Sequence, residues 1–529
     1  MPDPDPDPDP VPDPAQPATV PGLWGIAGQE PGRPALIVPG GETVTFGGLA
    51  AATHRLANAL RALGVGAGDV VASLQHNSVQ HFEVSLATSQ IGVYFVPVDV
   101  HLTPPEAAYI ARDSGAKVLV VSSDLAQSLA GVLDDLPKRR FAVGHPVSGW
   151  ESYDALTSSA AGTSPPGRTH GWLMGYTSGT SGRPKGVKRP YFDVEPELVI
   201  GGFTGLLGGF GLTPGRGVHL ACSPMYHTAP GTFAQQALHL GQTLVIERKF
   251  QAEGVLADIG RYRVTSTHMV PTHLHRMLRL PAEVREKYDT SSMRVLLVAG
   301  APFPPEEKRA AIEWLGPVVW EYLASTEGMV SRVGPREALE HPGTVGRPQA
   351  VKLLDADGIE VSPGEAGTIF FSNELGFEYL NDAGKTAAAV RPDGYATAGD
   401  IGRLDSGGYL YLLDRRDDLI ITGGVNVYPA EIEQRLIVHP AVADVAVVGI
   451  DDLDWGHRVV AVVELEDGWA SEEQLEAALD AHCRATLASL KCPGRYEFRQ
   501  SLPRTASGKL LRRVLRQEMR EEANGPFPY

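Results

Sequence analysis

Residues 176–189 read Tyr-Thr-Ser-Gly-Thr-Ser-Gly-Arg-Pro-Lys-Gly-Val-Lys-Arg. Glycines let backbone N–H groups close on an anion, and small hydroxyls add donors. Thr177, Ser178, Thr180 and Ser181 supply the hydroxyls, Gly179, Gly182 and Gly186 the conformational freedom, and Lys185 the charge. A phosphate group is the ligand such a loop suits. A flexible linker would account for the serines and glycines. It would not account for Pro184-Lys185-Gly186, or for the apolar lead-in Trp172-Leu173-Met174, which reads as a strand. The GxxxxGK[ST] pattern of a Walker A loop cannot be threaded through the segment.

Six more stretches carry chemistry. Glu321-Tyr-Leu-Ala-Ser-Thr-Glu-Gly328 places a threonine and a carboxylate together, and a carboxylate beside phosphate oxygens is how Mg²⁺ is usually held. Upstream, Ala299-Gly-Ala-Pro302 closes a strand with small residues that let a flat ring approach the backbone, or simply form a turn. Asp400, in Gly394-Tyr-Ala-Thr-Ala-Gly-Asp400, is an acid of the kind that accepts ribose hydroxyls. The charged run Asp414 to Asp418 reads either as a solvated turn or as a functional junction before Gly423-Gly424. Lys509 ends the turn set by Pro503 and Gly508. A lone lysine near a C-terminus is usually a solvated surface residue, whereas here the turn sets it at a defined place before a helical run. His227, in Ser223-Pro-Met-Tyr-His-Thr228, is either a core histidine or a group at a pocket mouth. His268, His273 and His275 lack metal-ligand spacing and read as strand and helix surface positions.

In type and order these pieces, from 172 to 513, resemble the adenylate-forming superfamily of acyl-CoA synthetases, luciferases and peptide-synthetase adenylation domains. The look is closest to bacterial fatty-acyl-CoA-synthetase-like members. The resemblance implies ATP bound by Thr177 to Gly182, Lys185, Gly300, Ala301, Pro302, Glu321, Tyr322, Leu323, Thr326, Asp400 and Arg415. It implies Mg²⁺ on Glu327, catalytic roles for Lys509, Glu327, Thr326 and His227, and an acyl pocket at His227, Ala299, Gly300 and Ala324. Asp417 falls at the hinge position, and Gly423 and Gly424 in the loop lining the coenzyme A tunnel. The family often stacks adenine on an aromatic ring four residues before the glutamate. Here that position is Leu323, with Tyr322 just before it, so adenine meets an aliphatic face or Tyr322 turns inward.

The activity implied is ATP-dependent acyl-CoA synthesis through an acyl-adenylate, with ATP, Mg²⁺ and coenzyme A taking part. Residues 201–212, with Phe203, Leu206, Leu207 and Phe210 among glycines, either border a roomy apolar acyl pocket or form a glycine-rich helix end. No cation is evident for a second carboxylate, so the acid expected is bulky and hydrophobic: fatty, aryl or polycyclic terpenoid. A peptide-synthetase module would carry an aspartate after the His227 region, where this chain reads Ala-Pro-Gly-Thr-Phe-Ala-Gln-Gln. A ligase loading a carrier protein stays open, as does a homodimer. A non-catalytic nucleotide binder would have lost Lys509 or Glu327, and both are present.

The elements that must position these groups alternate. Helical patterns over 46–63, 77–91, 104–114, 253–262, 272–280 and 305–315 are interleaved with short apolar runs at 69–74, 93–98, 117–122, 218–222, 243–247, 266–270 and 294–299. Such alternation predicts an α/β fold with parallel-rich sheets layered with helices. From about 343 to 413 short strands and glycine turns predict a β-rich subdomain. A small mobile α+β domain is expected over 415–529, a large adenylate-forming domain over 18–414, and a disordered Asp-Pro tail over 1–17, where alternating proline removes backbone donors.

Composition bounds the rest. With 529 residues the chain exceeds a single core. A net charge of −17 argues against a nucleic-acid partner. No apolar run approaches the roughly 18 residues of a membrane span, so stable membrane insertion is not expected. The N-terminus lacks the basic start and apolar core of a signal peptide. Three cysteines without metal spacing fit a reducing, cytoplasmic setting.

Overall fold

The computed structural model describes residues 21–177, 184–423, 425–452, 455–469, 473–504 and 510–523. A large α/β domain carries two parallel-rich sheets. One has eight strands in the order Met329–Val333, Val319–Ala324, Val295–Val298, Ser266–Met269, Val218–Ala221, Thr243–Ile246, Pro34–Ile37 and Thr43–Thr45. Its six inner strands run parallel and both edges pair antiparallel. The other has five parallel strands ordered Tyr94–Pro97, Val70–Leu74, Val118–Ser122, Arg139–Val143 and Glu151–Ser152. Parallel strands are covered on both faces. Accordingly Val295, Leu296, Leu297 and Val298 are all buried, and alternate residues serve two different core clusters.

The helices end where the sequence supplies stops. Phe46–Ala62 is capped by the Thr45 hydroxyl, which accepts from Gly48 N, and Gly64 follows with φ +79°. Pro305–Leu315 ends against Gly316 at φ +85°, a conformation that favours glycine. The lead-in Trp172-Leu173-Met174 forms a single parallel bridge, Phe95 with Leu173, and the paired strand begins one residue later at Gly175–Thr177. Gly171 explains the close approach: a Cβ there would collide with the Thr88 and Val93 carbonyl oxygens.

The β-rich subdomain is antiparallel, with Val351–Leu354, Ala366–Ser372, Asp400–Leu404 and Leu410–Arg415 in order. The small C-terminal domain has its own three-stranded sheet of Val442–Asp452, Gly456–Leu465 and Arg495–Arg499, with a separate core. Arg279 joins the two domains: it pairs with Glu466 at 2.5 Å and donates to the carbonyls of Val442 at 2.9 Å and Ile437 at 3.3 Å. Among the described residues no helix is long and apolar enough to cross a membrane.

Candidate active site

Between the domains lies a cleft of about 1090 Å³. Its large-domain wall is built at the C-terminal ends of parallel strands, where an open α/β sheet binds ligands. Gly300, Ala301 and Pro302 line it, as do Glu321, Tyr322, Leu323 and Ala324. Asp400 and Arg415 face one another across an antiparallel pair and lie 3.4 Å apart, Arg415 Nε to Asp400 Oδ1, on the same cleft. On the small-domain wall, Arg504 and Leu510 pair in an antiparallel bridge and also line the cleft. They flank 505–509. The expectations for Ser178, Gly179, Thr180, Ser181, Gly182, Gly424 and Lys509 lie outside the described residues.

Period-two alternation settles where Tyr322 and Leu323 go. Trp320, Tyr322 and Ala324 join one core cluster with Leu297, Ala299, Phe210 and Phe233, whereas Leu323 packs on the β-rich subdomain. Leu323 therefore faces the β-rich subdomain, and the Tyr322 ring faces the opposite way. Its hydroxyl bonds His268 Nε2 at 2.7 Å. Glu321 is buried and paired with Lys308, which also donates to Thr344 O at 3.3 Å. Burial raises the Glu321 carboxyl, opposed by Lys308.

Glu327 and Thr326 follow this strand. Tyr379 donates its hydroxyl to Glu327 Oε1 at 2.7 Å. Arg189, at the end of the phosphate-loop segment, donates to Thr326 O at 3.1 Å, Glu327 O at 2.6 Å and Gly376 O at 2.8 Å. Gly175 is hemmed in by the Thr228 hydroxyl and by Thr326, whose Cγ2 a Cβ there would meet at 3.0 Å. The stem of the loop, the start of the helix Thr228–His239 and the Thr326-Glu327 pair thus converge. Lys185 is held by Asp382, 3.2 Å away.

His227 directly precedes the helix Thr228–His239 without a side-chain capping bond, and burial pushes its imidazole down to about 4. Its Nε2, His268 Nδ1 and Ser325 Oγ are buried without a hydrogen-bond partner among the described residues. Buried polar atoms without a partner are uncommon in a protein core. Gly423, at φ +55°, packs on Trp455 and bonds its carbonyl at 2.8 Å, away from the cleft.

A model described as "AMP-binding enzyme" matches residues 23–378, and "AMP-binding enzyme C-terminal domain" matches 431–509. The chain belongs to the AMP-binding enzyme family. This AMP-binding enzyme is 32% identical over 507 residues to the fatty acid–[acyl-carrier-protein] ligase ScoC of Streptomyces coeruleorubidus, covering 93% of this chain and 94% of that one. It is 34% identical over 481 residues to the 2-succinylbenzoate–CoA ligase of Geobacillus kaustophilus, covering 90% and 93%. The anthranilate CoA ligase AuaEII, solved with anthranoyl-AMP, superposes with a TM-score of 0.85 at 26% identity, covering 96% of this chain and 98% of that one. The adenylate-forming fold with its large and small domains is thereby established.

Several residues escaped sequence reasoning. His268, His273 and His275 are not surface positions; all three are buried. His268 bonds Tyr322, His273 stacks on Phe250 with ring centroids 3.8 Å apart, and His275 pairs with Glu307 at 2.5 Å. Their strand and helix pack on both faces, which a short run cannot reveal by periodicity. Arg189, Tyr379 and Lys308 were also missed. A basic residue directly after the loop was the one available signal for Arg189.

Among the described residues no group of three or more His, Cys, Asp or Glu could hold a metal ion. Glu327 nonetheless fits Mg²⁺: it is a hard oxygen donor whose second carboxylate oxygen has no partner among the described residues. One carboxylate with nucleotide phosphates is the usual Mg²⁺ arrangement.

Proposed function

We propose that this AMP-binding enzyme is an ATP-dependent acid–thiol ligase acting on a hydrophobic carboxylic acid, with coenzyme A as acceptor. The observation carrying this reading is the convergence at the cleft. An acid–arginine pair suited to ribose and an adenine-sized wall of small residues and Leu323 meet on the cleft, and the Thr326-Glu327 pair directly follows the strand that supplies Leu323. A carboxylate oxygen of the substrate attacks the α-phosphorus of ATP, the bond to pyrophosphate breaks, and acyl-AMP remains. The thiol then attacks the acyl carbon, its proton is lost, and AMP leaves. Bound Mg²⁺ would supply charge neutralisation of the phosphates at Glu327. Lys509 would steady the α-phosphate and Thr177 to Lys185 the β,γ-phosphates. His227 would orient the carboxylate at the pocket mouth.

The geometry around Asp417 supports a hinge there. Arg416 N donates to Gly399 O of the large domain at 2.8 Å. Asp418 is held by Arg512 at 3.1 Å and Arg516 at 2.6 Å, both on the terminal helix Arg512–Ala523. Asp417 alone separates two anchored neighbours, and a hinge of a few residues suffices for domain rotation. Rotation would withdraw Lys509 and present Gly423 and Gly424 to the thiol. On this basis we place the domain boundary at Asp417, because the strand Leu410–Arg415 carries the large domain's β-rich sheet past the expected 414/415 boundary.

The similarity to a carrier-protein ligase favours one second reading, a carrier protein as acceptor. Pyrophosphate release with ATP, Mg²⁺ and a panel of fatty, aryl and polycyclic acids, run with and without coenzyme A, tests both. Acyl-CoA product by mass supports the ligase reading. Adenylate accumulating without thioester supports the carrier-protein one, and no acid-dependent release refutes both.

A further inference from the structure

The phosphate-loop hairpin of Gly175–Thr177 and Lys185–Lys188 takes a third strand from far along the chain. Glu378–Tyr379 pairs antiparallel with it, Glu378 opposite Lys188 and Tyr379 opposite Val187, and Leu380 N donates to Gly186 O at 2.8 Å. Asn381 then turns the chain at φ +57°, a conformation asparagine tolerates, and its amide donates to Asp113 O at 3.0 Å. Asp113 in turn accepts from the hydroxyl of Tyr176, in the stem, at 2.8 Å. Asp382 divides its carboxylate between Lys185, 3.2 Å from Oδ2, and Lys385 N, 3.0 Å from Oδ1. One short segment therefore brings Asp382 to the loop lysine and Tyr379 to Glu327, whose Oε1 accepts from the tyrosine hydroxyl at 2.7 Å. Tyr379 is itself held in place. Its N–H donates to Thr386 Oγ1 at 2.9 Å, Lys385 Nζ stands 4.1 Å from its ring centroid, and Phe377 meets it edge-on at 5.5 Å.

We propose that Tyr379 is a positioning residue for the metal that accompanies ATP: by engaging Oε1 of Glu327 it leaves Oε2 as the oxygen available to Mg²⁺. This rests on the ligase reading above. A glutamate side chain has three torsions and turns to whichever donor is in reach. The competing donor here is Arg189, which donates to Glu327's own carbonyl at 2.6 Å and whose charge attracts the carboxylate. Glu327 is buried, and a buried carboxylate needs a partner. Without the tyrosine hydroxyl it is drawn to that cation and away from the metal. A phenol, by contrast, is a neutral donor. It satisfies one oxygen and leaves the negative charge that Mg²⁺ requires. Groups that orient a metal's ligand in this way govern its affinity by about 10- to 100-fold.

Tyr379→Phe keeps the ring and removes the hydroxyl. Binding of α,β-methylene-ATP to the full chain is measured by calorimetry, once with saturating Mn²⁺ and once in EDTA. The wild type is expected to bind roughly tenfold or more tightly with the metal, and Tyr379→Phe to shrink that ratio to within about threefold. Its affinity in EDTA should stay within about twofold of wild type, because the nucleotide's own contacts are untouched. A ratio unchanged in Tyr379→Phe, or an equal loss with and without Mn²⁺, overturns the proposal. Glu327→Gln should lose the ratio by itself, and adding Tyr379→Phe to it should change nothing further; additive losses overturn the proposal too. Urea unfolding establishes that each variant folds. Should Tyr379→Phe not fold, Lys385→Met frees the ring while keeping the hydroxyl. It is expected to shrink the ratio roughly two- to fivefold, and no change overturns the proposal. The titration contains no acid, so it decides the role of Tyr379 apart from the ligase reading, which falls if no acid supports pyrophosphate release by the wild type.

Discussion

Arg189 makes a sharp test of how the site is assembled. One guanidinium gathers three carbonyls from two segments: Gly376, Thr326 and Glu327. Two of these bonds fix the backbone of the pair proposed to meet the phosphates and Mg²⁺. Arg189→Met keeps the aliphatic stem and removes every donor. A hydrogen bond to a charged donor contributes about 1.5–3 kcal/mol. Arg189 is half-buried, so water refills part of each loss; with about 1–2 kcal/mol surviving per bond, the two together amount to roughly 2–4 kcal/mol. If that energy holds the Thr326-Glu327 backbone in its reactive place, the adenylation kcat falls roughly 30- to 1000-fold. The acid's KM should change little, because Arg189 lies on the phosphate side. The assay is single-turnover pyrophosphate release, paired with urea unfolding to separate misplacement from unfolding. A folded Arg189→Met protein whose kcat stays within about threefold of wild type would refute the reasoning.

Further outcomes are expected at four places. Lys509→Ala should abolish adenylate formation and leave thiolation of supplied acyl-AMP largely intact, and equal loss of both half-reactions would contradict domain alternation. Asp417→Pro should slow thioester formation far more than adenylation; an unchanged second half-reaction would put the hinge elsewhere. Lys308→Met leaves the Glu321 carboxylate buried without its partner and should cost about 3–5 kcal/mol in urea unfolding, with much of it recovered in Lys308→Met/Glu321→Leu. Burial and contact with Asp258 push the Glu247 carboxyl up to about 8. A carboxyl raised on folding contributes least when ionised, so stability should fall as pH rises from about 4.5 to about 8, and Glu247→Gln should flatten that part of the Tm–pH curve.

The fold was legible because strands and helices alternate at lengths that only an α/β layering accommodates. Pro305–Leu315 falls at its expected bounds, since proline starts the helix and an apolar stripe defines it. The cleft was legible piecewise: Gly300 to Pro302, Asp400 and Arg415 do meet on it. What stayed hidden were pairings between distant segments. Nothing local ties Lys308 to Glu321, Tyr379 to Glu327, or Arg189 to Gly376. The buried histidines were hidden for a related reason. A polar residue in a two-sided strand looks exposed until its partner, here a tyrosine two strands away, is known.

The displaced aromatic ring shows how far a one-residue change reaches. A strand turns successive side chains to opposite faces. An aromatic four residues before Glu327 would share the face of Leu323 and Glu321, towards the nucleotide. Moved one position earlier, to 322, it is carried to the face of Trp320 and Ala324. The ring is thus turned away from the face of Leu323 and into the core cluster of Phe210 and Phe233. Its hydroxyl, which would be solvated at the cleft, is buried there and must find a partner; His268 is that partner. The histidine in turn stays neutral, since burial pushes its imidazole down to about 3, and keeps one nitrogen unpaired. Exchanging the two residues, Tyr322→Leu with Leu323→Tyr, should therefore raise affinity for ATP and, by breaking the buried bond to His268, lower stability in urea. Unchanged ATP affinity with unchanged stability would show that strand parity does not divide the two faces.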